Sequence, residues 1–346
     1  MKQKNKKLRG LVIGCGSIGE RHIHNLKKIG IKELGIFDIN EKRLTELRNK
    51  YRVNSFLDIE SALEYKPDFS IICTYPESHH KFAKKCINAK SHVFIEKPIS
   101  GKLNEIEKVL NNAKSKKLKV AVGYNLRFDK GLRSLKKKIS DNEIGNTLFI
   151  SAYFGHHIKF WGNGKKTNDH YILHKGNGII LDDSHEYDYI RWLVNEKVVS
   201  VFCQTKKLEN IKTETESLAS IFLKFKNGVI ANVNIDYVRP RYERGCNVIG
   251  DQGKLEWKYE MLKPTKIKYE QKVESKLKKE MIFNQSNKSF NEKFLVNNMY
   301  IEEMKDFLDS LQNSKQPETN GKDGLETLKI GLAALKSAKN GKVIKI

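Results

Sequence analysis

Apolar residues follow two rhythms along this chain of 346 residues. In the first third, short apolar runs alternate with stretches spaced for helices. Residues 8–13, 34–37, 53–56, 69–73, 92–95 and 119–122 read as strands. Residues 18–29, 41–50, 61–65, 80–89 and 106–117 read as helices, the first with Ile18, Ile23, Leu26 and Ile29 on its apolar side. Strands alternating with helices predict an α/β fold built on a doubly wound parallel sheet.

The rhythm changes after Gly123. Residues 128–139 read as one amphipathic helix, and 147–158, 198–208, 215–238 and 244–260 as longer strands. Lys226-Asn227-Gly228 supplies a hairpin turn. Many strands with few crossover helices predict a second α/β domain holding a mostly antiparallel sheet. Residues 265–295 are polar and Lys-rich and predict a surface excursion. Helices over 304–311 and 324–338 close the chain. The expected division is 1–123 for the first domain and 124–346 for the second, the last helix packing back on the first domain.

Charge narrows the partners. The formal net charge is +24, but it comes mostly from lysines scattered along the whole chain. Phosphate and base recognition favours the forked donors of arginine. The expectation is therefore neither nucleic acid nor membrane, but a solvated basic surface or a field that draws in an anionic small molecule. Cys15, Cys73, Cys86, Cys203 and Cys246 form no C-x-x-C pair and are odd in number, which suits reduced thiols in the cytoplasm. The basic start and Val12-Ile13-Gly14-Cys15 imitate a lipoprotein signal. The continuous apolar run before Cys15 covers only Leu11, Val12 and Ile13, too short for a signal core. No stretch approaches the roughly 18 apolar residues of a membrane span.

Gly14-Cys15-Gly16-Ser17-Ile18-Gly19 is G-x-G-x-x-G placed between a strand and a helix, the context that gives the pattern meaning. Gly14 permits the tight turn, Gly16 lets backbone approach a pyrophosphate, and Gly19 allows close helix–strand packing. The following helix presents its positive end to the phosphates. Asp38 ends the next strand about 20 residues on, where a carboxylate accepts from ribose hydroxyls and repels a 2′-phosphate. NAD is favoured; Lys42 and Arg43 keep NADP open.

Three more segments extend the pattern: Cys73-Thr74-Tyr75-Pro76-Glu77-Ser78-His79, Glu96-Lys97-Pro98 and Asp182-Asp183-Ser184-His185-Glu186-Tyr187-Asp188. With the glycine loop, the stretch Tyr124 to Phe128 and Val248 to Gly253, they resemble the glucose-fructose oxidoreductase / inositol dehydrogenase / rhizopine-catabolism (Gfo/Idh/MocA) family over nearly the whole chain. The resemblance implies a Rossmann domain, an open-faced sheet domain, and substrate bound between that sheet and the nicotinamide. It implies that Lys97 contacts the reacting oxygen, that Asp182 and His185 complete the site, and that Thr74, Pro76, His79 and Glu96 lie along the cofactor. It also points to a homodimer or homotetramer paired through the open face. Two features depart from the family: Gly176-Asn177-Gly178 replaces three glycines, and Asp182 and His185 are three rather than four residues apart. On a helix either spacing keeps both residues on one side.

Oxidising a secondary alcohol needs acceptors for a hydride and a proton. A nicotinamide takes the hydride. His185 suits the proton, with an ordinary pKa of about 6.5, and Asp182 then fixes its tautomer. Lys97 steadies alkoxide charge, or carries the proton itself if burial lowers its pKa. Asn125, Tyr153, His156 and Trp161 are candidate substrate contacts. His170 and His174 stand four apart, with His156-His157 not far off, but no Cys pair or His-Glu-x-x-His accompanies them, so no metal is expected. The resemblance implies hydride transfer at a hydroxyl or keto carbon of a sugar, sugar nucleotide, amino sugar or cyclitol, and the Asp182-Asp183-Ser184-His185-Glu186 form of the motif resembles the branch tied to surface-glycan synthesis. The alternative is a catalytically inactive dinucleotide-binding regulator.

Overall fold

The computed structural model describes residues 8–158, 178–209, 215–259, 266–273, 276–283 and 297–346. The chain forms two compact units, Met1–Asn125 with Asn298–Glu326, and Leu126–Asn297 with Thr327–Ile346.

Unit 1 carries six parallel strands: β1 Arg9–Ile13, β2 Glu33–Phe37, β3 Asn54–Phe56, β4 Phe69–Ile72, β5 His92–Ile95 and β6 Val120–Val122. Their order is β3-β2-β1-β4-β5-β6. Strands β1, β4 and β6 are apolar and buried almost throughout, as burial on both faces demands. Helices α1 Ser17–Ile29, α2 Glu41–Tyr51, α3 Ile59–Glu64, α4 Pro76–Asn88 and α5 Leu103–Ser115 make the crossovers. Asn40 caps α2 by accepting from Arg43 N at 3.0 Å, and Asp58 caps α3 by accepting from Ser61 N at 2.7 Å. Such caps contribute about 1 kcal/mol each. Helix α4 starts at Pro76, earlier than its apolar spacing predicts, because a proline at the first helical position forgoes only a donor that would be unsatisfied anyway. The strand order reverses between β1 and β4, so the crevice past their carboxyl ends is where a ligand binds in such a sheet.

A tight turn at Asn125–Phe128 leads from the end of unit 1 into α6 Lys130–Ser140 of unit 2. The expected helix from 128 begins at 130 because Asp129 caps it, accepting from Leu132 N at 3.0 Å. The strands are β7 Thr147–Gly155, β8 Val198–Lys206, β9 Leu218–Phe225, β10 Ile230–Asp236, β11 Glu243–Gly250, β12 Gly253–Tyr259, β13 Lys266–Val273, β14 Lys276–Phe283 and β15 Ile344–Lys345. They form a nine-stranded sheet ordered β14-β13-β12-β11-β7-β10-β9-β8-β15. Among the described residues of this sheet only the β7–β10 pairing is parallel. Helices α7 Ile179–Asp182 and α8 His185–Val194 pack on β7, β9 and β10. Along β7, buried Ile150, Ala152 and Phe154 alternate with partly exposed Phe149, Ser151 and Tyr153. Phe222, Ile230 and Ile249 are exposed.

Residues 266–283, expected as a surface excursion, instead extend the sheet through β13 and β14. Their lysines hide a period of two in Lys-Ile-Lys-Tyr, and pairing with β12 satisfies the backbone.

The chain then returns to unit 1 through α9 Asn298–Gln312. Phe307 enters the first core, its ring centroid 6.1 Å from Phe69 and 5.7 Å from Phe94. The last helix, α10 Gly321–Asn340, starts in unit 1 and ends in unit 2.

Candidate active site

The glycine loop joins β1 to α1 in unit 1. Gly14 has φ +90°, and a Cβ there would lie 2.8 Å from the Cys73 carbonyl. A Cβ on Gly19 would overlap the Gly14 carbonyl oxygen, so the helix approaches the turn only because both are glycine. Among the described residues, apart from Gly16 and its two chain neighbours, no atom lies within 4 Å of where a Cβ of Gly16 would stand. Gly16 precedes Ser17 and Ile18 in the first turn of α1, so the amide end of that helix is open to a pyrophosphate.

Asp38, at the end of β2, turns toward this loop. Its Oδ2 accepts from Cys15 N at 2.6 Å and its Oδ1 from Asn40 N at 2.9 Å. Each oxygen keeps a further lone pair for a ribose hydroxyl. Arg43, the residue that keeps NADP open, is engaged elsewhere. It donates to Cys15 O at 2.9 Å and pairs with Glu20 at 2.5 Å and Glu46 at 2.7 Å. The residues present fit NAD.

Strands β4 and β5 supply the neighbouring edge. Pro76 opens α4, and buried His79 spans two loops, with Nε2 2.9 Å from Thr74 O and Nδ1 3.0 Å from Pro98 O. Burial pushes the His79 pKa down. Glu96 is buried at the end of β5. Its Oε1 accepts from His22 Nε2 at 2.6 Å and its Oε2 from Lys97 N at 3.2 Å. Burial pushes its carboxyl up, but the His22 hydrogen bond and the His22 and Lys97 charges outweigh that and hold it below the ordinary range. Lys97 is half-buried at the crevice edge of unit 1.

In unit 2, Asp182 ends α7 and His185 opens α8. The helix assumed for this pair is broken between them: Asp183 has φ −103° and ψ 55°. Tyr237 OH donates to Asp182 Oδ2 at 3.4 Å. Asp183 and Glu186 turn inward to Arg244 of β11, at 2.7 Å and 2.8 Å.

The sequence profile described as "Oxidoreductase family, NAD-binding Rossmann fold" matches residues 8–124, and the GFO/IDH/MocA C-terminal domain profile matches residues 132–256. The chain belongs to the GFO/IDH/MocA oxidoreductase family. Myo-inositol 2-dehydrogenase of Thermotoga maritima is 27% identical over 343 residues, covering 97% of each chain. A solved probable dehydrogenase from Thermotoga maritima is 27% identical with TM-score 0.80, covering 98% of each chain. The WlbA dehydrogenase from Bordetella pertussis, solved with NADH and UDP-GlcNAcA, shares the fold at 19% identity and TM-score 0.80, covering 99% of each chain. As a GFO/IDH/MocA protein the chain is an oxidoreductase whose cofactor is NAD. The alternative of an inactive regulator gains nothing from these matches.

The other candidate contacts of this GFO/IDH/MocA chain fall in both units. Asn125 is buried where unit 1 ends. Tyr153 sits on the sheet face away from α8, beside Arg239, whose guanidinium carbon is 5.1 Å from its ring centroid. His156 follows β7, its ring 5.6 Å from Tyr242, and burial and His157 push its pKa down. Trp161, His170, His174, Gly176 and Asn177 lie outside the described residues. Among the described residues no group of three or more His, Cys, Asp or Glu is placed to hold a metal ion, and no helix is long and apolar enough to cross a membrane.

Sequence reasoning missed His22, Tyr237 and Arg244. His22 left a signal: with Glu20 and Asn25 it puts three polar residues among the buried positions of α1. Buried polar groups need partners.

Proposed function

We propose that this chain transfers a hydride between NAD and a hydroxyl or keto carbon of a sugar, sugar nucleotide, amino sugar or cyclitol. The observation that carries the reading is Lys97 at the crevice end of β5, its backbone tied through Glu96 to the helix that follows the glycine loop. NAD, when bound, supplies the hydride acceptor. Gly14, Gly16, Ser17, Ile18, Gly19, Asp38, Thr74, Pro76 and His79 hold it. Ile39, 91% exposed beside Asp38, offers adenine an apolar surface.

Lys97 donates to the reacting oxygen, and His185 takes the alcohol proton with Asp182 as its carboxylate partner. The named relatives fit this substrate class: inositol for one, a carboxylated sugar nucleotide for another. The second of these, with the net charge of +24, favours an anionic substrate and a role in surface-glycan synthesis. We place the protein in the cytoplasm as a homodimer or homotetramer; its five cysteines are unbridged and buried.

The test is turnover of a panel of myo-inositol, glucose 6-phosphate and UDP-sugars with NAD. Lys97→Ala and His185→Ala should each cut turnover by roughly 10² or more, with NAD affinity little changed in His185→Ala. Unimpaired turnover in either variant removes that residue from the reaction.

A further inference from the structure

We infer that Arg244 and Glu186 are positioning residues: with Asp183 they form a clamp holding a single proton, which fixes the turn between Asp182 and His185. The inference rests on the reading of those two residues as the reacting pair.

A continuous helix would set an i,i+3 pair by backbone alone. Here the helix breaks at Asp183, so that constraint is lost and another must replace it. Arg244 supplies it. Its Nη2 donates to Asp183 Oδ1 at 2.7 Å, and its Nε lies 2.8 Å from Glu186 Oε1. One guanidinium therefore hydrogen-bonds the residue after Asp182 and packs against the carboxyl of the residue after His185. Its carbon lies 4.2 Å from the Phe154 ring centroid, and its side chain is 8% exposed. A lysine cannot reproduce this, because one ammonium neither spans two carboxylates in a plane nor stacks as a guanidinium does.

The charges do not balance if both acids ionise. Two carboxylates would face one cation where Glu186 has no exposure at all. The groups around Glu186 are Asp183 on the turn, Tyr189 on its own helix, and Arg244 and Cys246 on β11, with Tyr242 beside Arg244. Burial first, and then Asp183, push the Glu186 carboxyl well above its ordinary range against the pull of Arg244. Glu186 holds the proton. Asp183 Oδ2, both Glu186 carboxyl oxygens and Arg244 Nε are buried with no hydrogen-bond partner among the described residues; Asp183 and Glu186 act on each other directly, and a proton on Glu186 turned toward Asp183 Oδ2 satisfies one oxygen of each. A neutral donor at 186 is thus sufficient, while the arginine at 244 is essential.

The test uses the full chain with NAD bound. The ring signals of His185 are followed by NMR after histidine-specific 15N labelling and assigned by their loss in His185→Gln. Glu186→Gln should leave those signals in place and keep kcat within about threefold. Arg244→Lys should move them and lower kcat by about tenfold or more, as for a displaced reacting group, with NAD binding by calorimetry unchanged. An Arg244→Lys protein with wild-type His185 signals overturns the clamp. So does a Glu186→Gln protein whose signals shift, and that result decides the matter even if Arg244→Lys does not fold. Full turnover in His185→Gln would sink the catalytic reading instead, while the NMR comparison still judges the clamp.

Discussion

His22 Nε2 lies 2.6 Å from Glu96 Oε1, and both side chains are buried. His22 sits on the helix that follows the glycine loop, and Glu96 at the end of the strand that presents Lys97. Gly123 closes over the pair: a Cβ there would stand 2.7 Å from Glu96 Oε2. One buried carboxylate thus joins the cofactor helix to the lysine turn.

This pair makes stability depend on pH. The folded Glu96 carboxyl titrates below its ordinary value of 4.5. Its contribution is therefore present above that pH and lost as pH falls through the folded value. Glu96→Gln should cost about 2 kcal/mol at neutral pH, the scale of a hydrogen bond to a charged group. Urea unfolding at pH 7, 5 and 3.5 should show the gap to wild type closing as acid is added. A gap that stays constant would mean the charge of Glu96 contributes nothing.

The glycine loop and Asp38 were legible because backbone geometry demands glycine at fixed spacing and a carboxylate one strand away. Partnerships across the fold were not. Glu96 is 74 residues from His22, and Arg244 is 61 from Asp183; only strand order and register bring them together. The strands in 266–283 were hidden because many lysines outweighed the short alternation of Ile267 and Tyr269 and made the stretch read as polar loop. The break at Asp183 was invisible because inward-turning carboxylates override helix propensity. Apolar spacing in α9 showed a helix, but not that Phe307 fills the core of unit 1.

Cofactor choice should follow Asp38. Its carboxylate lies on the glycine loop and repels a 2′-phosphate, while Arg43 is held by Glu20 and Glu46. Calorimetry should show NAD bound more tightly than NADP, and Asp38→Ala should narrow the difference by about tenfold, the worth of roughly 1.4 kcal/mol. Tighter NADP binding by the wild type would refute this.

Assembly should follow the exposed face of the second sheet. Phe222, Ile230 and Ile249 are 45%, 49% and 40% exposed there, with Phe149 among them. Grouped apolar side chains of this kind mark a contact surface. Light scattering at micromolar concentration should give a dimer or tetramer, and Phe222→Asp with Ile230→Asp should dissociate it. A monomeric wild type would exclude pairing through this face.

Salt is the probe of substrate charge. The chain carries +24 formal charges. If the surface field draws substrate in, the effect acts on encounter, so it belongs in kcat/KM and not in kcat. Screening shortens the field to about 8 Å at physiological ionic strength. Between about 20 and 300 mM salt, kcat/KM for a phosphorylated or carboxylated sugar should fall about threefold or more. A neutral polyol such as myo-inositol should change little, since it feels no net force from the same lysines. The neutral compound also controls for salt effects on the enzyme itself. If lysines merely solvate the surface, both substrates respond alike. Equal salt profiles, with myo-inositol turned over as efficiently as any anion, would show that the positive surface does not select the substrate.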